Sequence, residues 1–140
     1  MAKARKEVEL AVRVRNEPDA LNKVLAAITS RGVRILAYCT YAESDDLVIL
    51  LVTDNAFVAK DELKRIGFDC KANSVVLVGA SDEVGSAALI GTHLGMAGIQ
   101  ILYSYASSAG SDKSVAVFKT TDDDHAIQTL EVLPQTRAAA

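Results

Sequence analysis

The sequence of 140 residues contains no tryptophan, two prolines, two cysteines and two histidines. Each shortage closes off a class of explanation. Cys39 and Cys70 are too few and too far apart for a disulfide scaffold, and they read as free thiols in a reducing compartment. His93 and His125 share no spacing with other ligands that would build a metal centre. Basic residues are not in excess: 15 Lys and Arg stand against 18 Asp and Glu, so the basic stripe that accompanies nucleic-acid binding is missing. No apolar run approaches the roughly 18 residues needed to cross a bilayer, and the opening MAKARKEVEL lacks the apolar core of a signal peptide. No phosphate loop, dinucleotide loop, nucleophile elbow or His–carboxylate–nucleophile set is present. The expectation is a cytoplasmic protein that is not an enzyme, with no cofactor, no metal, no membrane and no nucleic-acid partner.

What the chain does have is a repeat, which organises it. Residues 16–41 run through a polar loop, an amphipathic helix, a glycine and an apolar strand, and residues 82–107 do so again. Superposing Gly32 on Gly98 sets an offset of 66, which places Val33, Ile35 and Leu36 on Ile99, Ile101 and Leu102. After an insertion near residues 107–110 the offset becomes 67, and Ala59, Leu63 and Ile66 meet Ala126, Leu130 and Leu133.

In the first copy Val8, Leu10, Val12 and Val14 alternate with more polar residues, the period of a half-buried strand. Asn16-Glu17-Pro18 then opens a helix with Leu21, Val24, Leu25 and Ile28 inward, ended by Gly32. Residues 33–41 form a strand, Ser44-Asp45-Asp46 a hairpin turn, and residues 47–52 a wholly apolar strand. Ala56, Ala59, Leu63 and Ile66 face inward from a second helix closed by Gly67, and residues 68–72 make a short fourth strand that runs on, with no linker, as almost continuous extended chain to residue 80. The order β-α-β-β-α-β is the ferredoxin-like motif: an α+β fold with antiparallel sheets and helices on one face.

The second copy has strands over 74–80, 99–106 and 115–118, with Ala87, Ile90, Gly91 and Leu94 inward on its first helix. Pro134 stands where Gly67 stood, and residues 135–140 show no strand pattern, so this repeat lacks its last strand, and its sheet edge is left short or covered by another element. The expected division is 7–73 for the first repeat and 74–133 for the second, with 1–6 and 134–140 as tails, the first of them disordered. Strands apolar on both faces need covering on both, which predicts a homodimer.

The two strand-to-helix loops carry the binding chemistry. A helix N-terminus offers unpaired N–H groups and partial positive charge to a carboxylate, and a neighbouring Asp or Asn oxygen can accept from an ammonium group. Asp82, Gly85 and Ser86 supply both halves for an α-amino acid. Asn16, Asp19 and Ala20 do so less well, because the Asp19 carboxylate competes with that of a ligand. The plainer reading makes Asn16 and Asp82 helix caps. Asp122-Asp123-Asp124 reads as a helix start rather than a cation site. Tyr38, Tyr41, Tyr103 and Tyr105 on the second strands read as packing and interface residues.

A strand, then D-x-P-G-x-L opening a helix, then A-x-x-G-[VI]-x-[IL] into a strand resembles the ACT domain. The first copy carries Asn16-Glu17-Pro18-Asp19-Ala20-Leu21 and Arg31-Gly32-Val33-Arg34-Ile35. The second carries Asp82-Glu83-Val84-Gly85-Ser86-Ala87 and Ala97-Gly98-Ile99-Gln100-Ile101. The resemblance spans residues 7–133 as a tandem, free-standing pair. It implies a ferredoxin-like regulatory module that binds an amino acid or similar small ligand at the loops and the repeat or subunit interface. Asp19 stands where the family has glycine, whereas Gly85 keeps it, so the second loop is the closer match. The rival reading is a ligand-free interaction subunit docking a metabolic enzyme. An acylphosphatase-type hydrolase would want an arginine in one of these loops, and neither contains one.

Overall fold

Runs rich in valine, isoleucine and leucine become strands here, and the glycines that follow the helices take the backbone conformation that stops them. Gly32, Gly67 and Gly98 have φ of 74°, 93° and 75°, the left-handed region in which an L side chain is disfavoured. The near-identical values at Gly32 and Gly98 carry the repeat from sequence into backbone.

A computed structural model describes residues 3–80, 86–108 and 114–131. Its elements are β1 Lys3–Arg15, α1 Ala20–Thr29, β2 Ile35–Glu43, β3 Asp46–Thr53, α2 Ala56–Arg65, β4 Cys70–Ala80, α3 Ser86–Met96, β5 Ile101–Ser108, β6 Ser114–Thr120 and α4 Asp123–Glu131. They fall into two units, Val8–Asn73 and Met1–Glu7 with Ser74–Ala140.

In the first unit the strand order is β2-β3-β1-β4. β1 and β3 are antiparallel with Val12 opposite Ile49 and Leu10 opposite Leu51. β2 and β3 form the expected hairpin, with Ser44 at φ 55° in its turn. Leu10, Val12, Val14, Ile49 and Leu51 face α1 and α2 and bury Val24, Ile28, Ala59 and Leu63. Leu50 and Val52, on the other side of β3, are buried too in a single copy of the chain. The inward stripe of α1 is Ala20, Val24 and Ile28, one residue earlier than Leu21 and Leu25, which are half-buried beside it.

The second unit repeats this with β5-β6-β4. Val76, Val78, Ile90, Leu94, Ile99, Ala126 and Leu130 form its core. The inward residues of α3 are Ser86, Ile90 and Leu94, at the positions of Ala20, Val24 and Ile28. Ala87 and Gly91, expected inward, are exposed. The alignment of the repeats holds, but the helix is turned by about one position.

One expectation about the strands, the disordered N-terminal tail, is corrected. The near-continuous extended chain expected over 68–80 is observed as one strand, β4 over Cys70–Ala80, because nothing within it breaks extended backbone. Residues 3–6 belong to β1 rather than to a disordered tail. The fourth-strand place of the second unit is taken by the start of β1: β1 is hydrogen-bonded to β4, residues 3–7 cluster with the second unit, and Ala4 packs on its core. Lys6 Nζ also lies 2.7 Å from Asp124 Oδ1. Pairing with β4, not hydrophobic alternation, makes these polar residues a strand. Residues 134–140 lie outside the described residues. The pattern in β1 has a further exception: Val8 is 41% exposed whereas Glu9 is fully buried, with Asn73 Nδ2 donating to Glu9 Oε1 over 3.4 Å.

A chain beginning at Val8 is expected to lose stability in the second unit first. Hydrogen exchange would show early loss of protection at residues 75–79 of β4, while the amides of α1 and α2 keep theirs. Uniform loss across both units would contradict this.

Candidate functional site

The loop between β1 and α1 is pinned at both ends by backbone hydrogen bonds, one of them to the β2–β3 turn. Asn16 N–H donates to Asp45 O over 2.9 Å, Glu17 N–H to Arg15 O over 2.9 Å, and Ala20 N–H to Glu17 O over 3.0 Å. Pro18 and Asp19 form a turn, and the helix begins only at Ala20. Asn16 therefore does not cap α1. Asp19 holds the N-cap position, and its side chain makes no capping bond. It is turned instead to Lys23, with Asp19 Oδ2 3.3 Å from Lys23 Nζ. The side chain of Ala20 is buried in the core. The structure thus gathers Asn16, Asp19 and Ala20 in one short segment and leaves the first turn of α1 without a side-chain acceptor from Asp19. In the second loop Asp82 and Gly85 lie outside the described residues; Ser86 opens α3 and is buried.

The starts of α2 and α4 differ from that of α1. Asn55 Oδ1 accepts from Val58 N–H over 3.1 Å, and Asp122 Oδ1 accepts from His125 N–H over 3.0 Å. In each repeat a threonine two residues earlier accepts from the cap residue's own N–H: Asn55 to Thr53 Oγ1 over 3.3 Å and Asp122 to Thr120 Oγ1 over 3.2 Å. The acidic run is a helix start, as expected, and Asp123 is held by Thr120 and Ser74 hydroxyls at 2.6 and 2.8 Å. Among the described residues no cluster of His, Cys, Asp or Glu could hold a metal ion. Cys39 and Cys70 are free and half-buried, and burial pushes the Cys70 thiol above its ordinary pKa.

A polar cluster lies on the helical side of the first unit. Glu62 of α2 is 2% exposed. Its carboxylate accepts from Arg65 Nε at 3.1 and 3.0 Å, from Arg65 Nη2 at 2.5 Å and from Arg31 Nη1 at 3.1 Å. Arg65 first, and then Arg31, holds its pKa down from 4.5 to about 2 against the opposing effect of burial. Beside it opens a cleft of about 580 Å³ lined by Lys23, Ala26, Ala27 and Ser30 and by Glu62, Arg65, Ile66 and Phe68.

An ACT domain pair model matches residues 7–136. The chain belongs to the ACT domain pair family. Solved structures share the fold of this ACT pair. Protein BT0572 from Bacteroides thetaiotaomicron superposes with a TM-score of 0.83 at 20% identity, over 91% of this chain and 88% of that one. The regulatory subunit of aspartate kinase from Thermus thermophilus, in ligand-free form, gives 0.69 at 10% identity over 93% and 94%. Aspartokinase alpha and beta subunits give 0.64 at 17% identity over 92% and 95%. No curated protein matches the sequence.

Sequence reasoning located the loops of the ACT pair but not the Glu62 cluster. The signal was present: Ala59, Glu62, Leu63 and Ile66 follow the spacing of one helical face, so Glu62 occupies an inward position with an arginine three residues on. No helix among the described residues is long and apolar enough to cross a membrane.

Two predictions follow from these contacts. Asn55→Ala, which removes a made cap bond, is expected to cost about 0.5–2 kcal/mol in chemical denaturation. Asp19→Ala removes only an exposed ion pair and should cost about 0–1 kcal/mol; equal losses would refute the difference between the two helix starts. Glu62→Gln should lower the melting temperature at neutral pH. Because the folded pKa of Glu62 lies below its unfolded value, its contribution is complete above about 4.5 and fades as pH falls towards about 2. Melting curves of the two proteins should therefore converge across that window.

Proposed function

We propose that this ACT domain pair is a non-catalytic regulatory module that binds an amino acid at its strand-to-helix loops. The observation that carries the proposal is the uncapped start of α1, where Asp19 makes no capping bond. First-turn N–H groups without a side-chain acceptor favour a ligand carboxylate, and a loop carboxylate suits its ammonium group. In the first loop Asp19 is itself engaged by Lys23. In the second, the sequence places glycine at the matching position, Gly85, where a ligand can approach the backbone without meeting a side chain. The regulatory role draws support from family membership and from the fold shared with an aspartate kinase regulatory subunit. The module works in the cytoplasm as a homodimer; the surface that supports dimerisation is the edge of β2, where Tyr38 and Tyr41 are 48% and 45% exposed.

A second reading, a ligand-free subunit docking a metabolic enzyme, is favoured by the other edge, where Ile101 and Leu102 of β5 are exposed. A thermal-shift screen of the common amino acids separates the two. A ligand present at 100 times its Kd adds about 2.7 kcal/mol of stability. The expected result is a raised melting temperature for one amino acid or a few related ones, lost in Gly85→Asp. No shift with any amino acid would overturn the sensor reading in favour of the docking subunit. Sedimentation equilibrium on the same samples reads the dimer, and a monomer at every concentration would remove that part.

A further inference from the structure

The cleft between α1 and α2 is separate from the loop and has chemistry of its own. Ala26, Ala27, Ile66 and Phe68 give this open cleft an apolar lining, and Lys23 and Arg65 bring positive charge beside the carboxylate of Glu62. Its size of about 580 Å³ is in the range of small-molecule sites. Ala26 and Ala27 leave room that longer side chains would fill.

The fold does not require these charges. At the repeat offsets Lys23, Arg31 and Glu62 correspond to Leu89, Ala97 and Thr129, and the second unit builds the same helix pair without them. A buried ion pair is a weak source of stability compared with apolar residues of similar size, so the stability Glu62 contributes does not explain why a carboxylate stands here. Positioning does. Glu62 takes the Nε and Nη2 donors of Arg65 and so fixes a guanidinium that is 67% exposed at the cleft. The guanidinium has five N–H donors, and those not given to Glu62 remain for a ligand. Lys23 is tied to Asp19 across 3.3 Å, both more than half exposed. An exposed pair of this kind contributes little and is readily exchanged for another anion. Counting Lys23, Arg31 and Arg65 against Asp19 and Glu62, the cluster is positive by one charge.

We infer that the α1–α2 cleft binds a small organic anion, a carboxylate or phosphate ester with an apolar body, its charged end on Arg65 and Lys23 and its body against Ala26, Ala27, Ile66 and Phe68. The site is distinct in position from the proposed amino-acid site in the loops and meets it only through the Asp19–Lys23 ion pair.

Phenyl phosphate is the probe, followed by amide NMR on the full chain, with benzyl alcohol as the uncharged control. Saturable shifts are expected at Ala26, Ala27, Ser30 and Ile66 with phenyl phosphate and not with benzyl alcohol. Lys23→Ala, a change on the exposed surface, should weaken binding about tenfold, the size expected for one charge-assisted contact; Arg65→Ala should do at least as much. Asp19→Ala, which frees Lys23, should tighten it. Absent shifts, equal shifts with benzyl alcohol, or affinity unmoved by Lys23→Ala would each overturn the assignment. An amino-acid response in the thermal screen that survives Lys23→Ala would leave the loop site standing whatever the fate of this one.

Discussion

The pairing of β4 is the constraint on which the second half of this chain depends. A strand edge left bare exposes a row of unsatisfied N–H and C=O groups, and among the described residues the second repeat has no strand of its own at that edge; in sequence Pro134 falls where the first repeat turns into its fourth strand. The start of β1 fills the place instead, and the price is a 13-residue first strand whose opening residues have no hydrophobic pattern. One strand thus takes part in both units, as the first strand of one repeat and the fourth of the other. A repeat that looked incomplete when taken alone is completed by residues more than sixty positions away.

That arrangement explains what could be read in the sequence and what could not. The helix–glycine–strand pattern was legible because Gly32 and Gly98 answer a local demand, a left-handed residue after a helix. The alternation of Leu10, Val12 and Val14 was legible because one face of β1 lies on helices. Residues 3–7 were not, since their strand comes from a partner distant in the chain. Neither were Glu9 and Glu62, buried carboxylates that a reading by residue type assigns to the surface. Glu62 is inside because two arginines accompany it, and one of them, Arg31, is supplied by the end of a different helix. The start of α1 was misplaced for a smaller reason. Asn16 is a favoured cap residue, but its backbone N–H is drawn across to Asp45, and the turn through Pro18 delays the helix.

The repeats agree in their innermost apolar residues and disagree in several charged ones. Val24, Ile28 and Leu63 have counterparts in Ile90, Leu94 and Leu130, all buried. At the helix starts Thr53 with Asn55 and Thr120 with Asp122 keep the same two hydrogen bonds. Away from these, Lys23, Arg31 and Glu62 are replaced by Leu89, Ala97 and Thr129, and Asp19 by Gly85. Two copies of one fold under the same packing demand should converge in their innermost residues, and the charges carried only by the first copy are not needed for that packing.

The polar residues of the first unit are also linked to one another. Asp19 belongs to the β1–α1 loop and Lys23 lines the cleft, and one ion pair joins them. A ligand that draws Lys23 into the cleft releases the Asp19 carboxylate, and an ammonium group that takes Asp19 releases Lys23. Each event makes the other easier, since both begin by breaking the same bond. The bond is exposed, so the coupling it transmits is bounded by the small worth of a surface ion pair, about 0–1 kcal/mol, or at most about fivefold in affinity. A larger regulatory effect would need two states of the module that differ in affinity for the ligand.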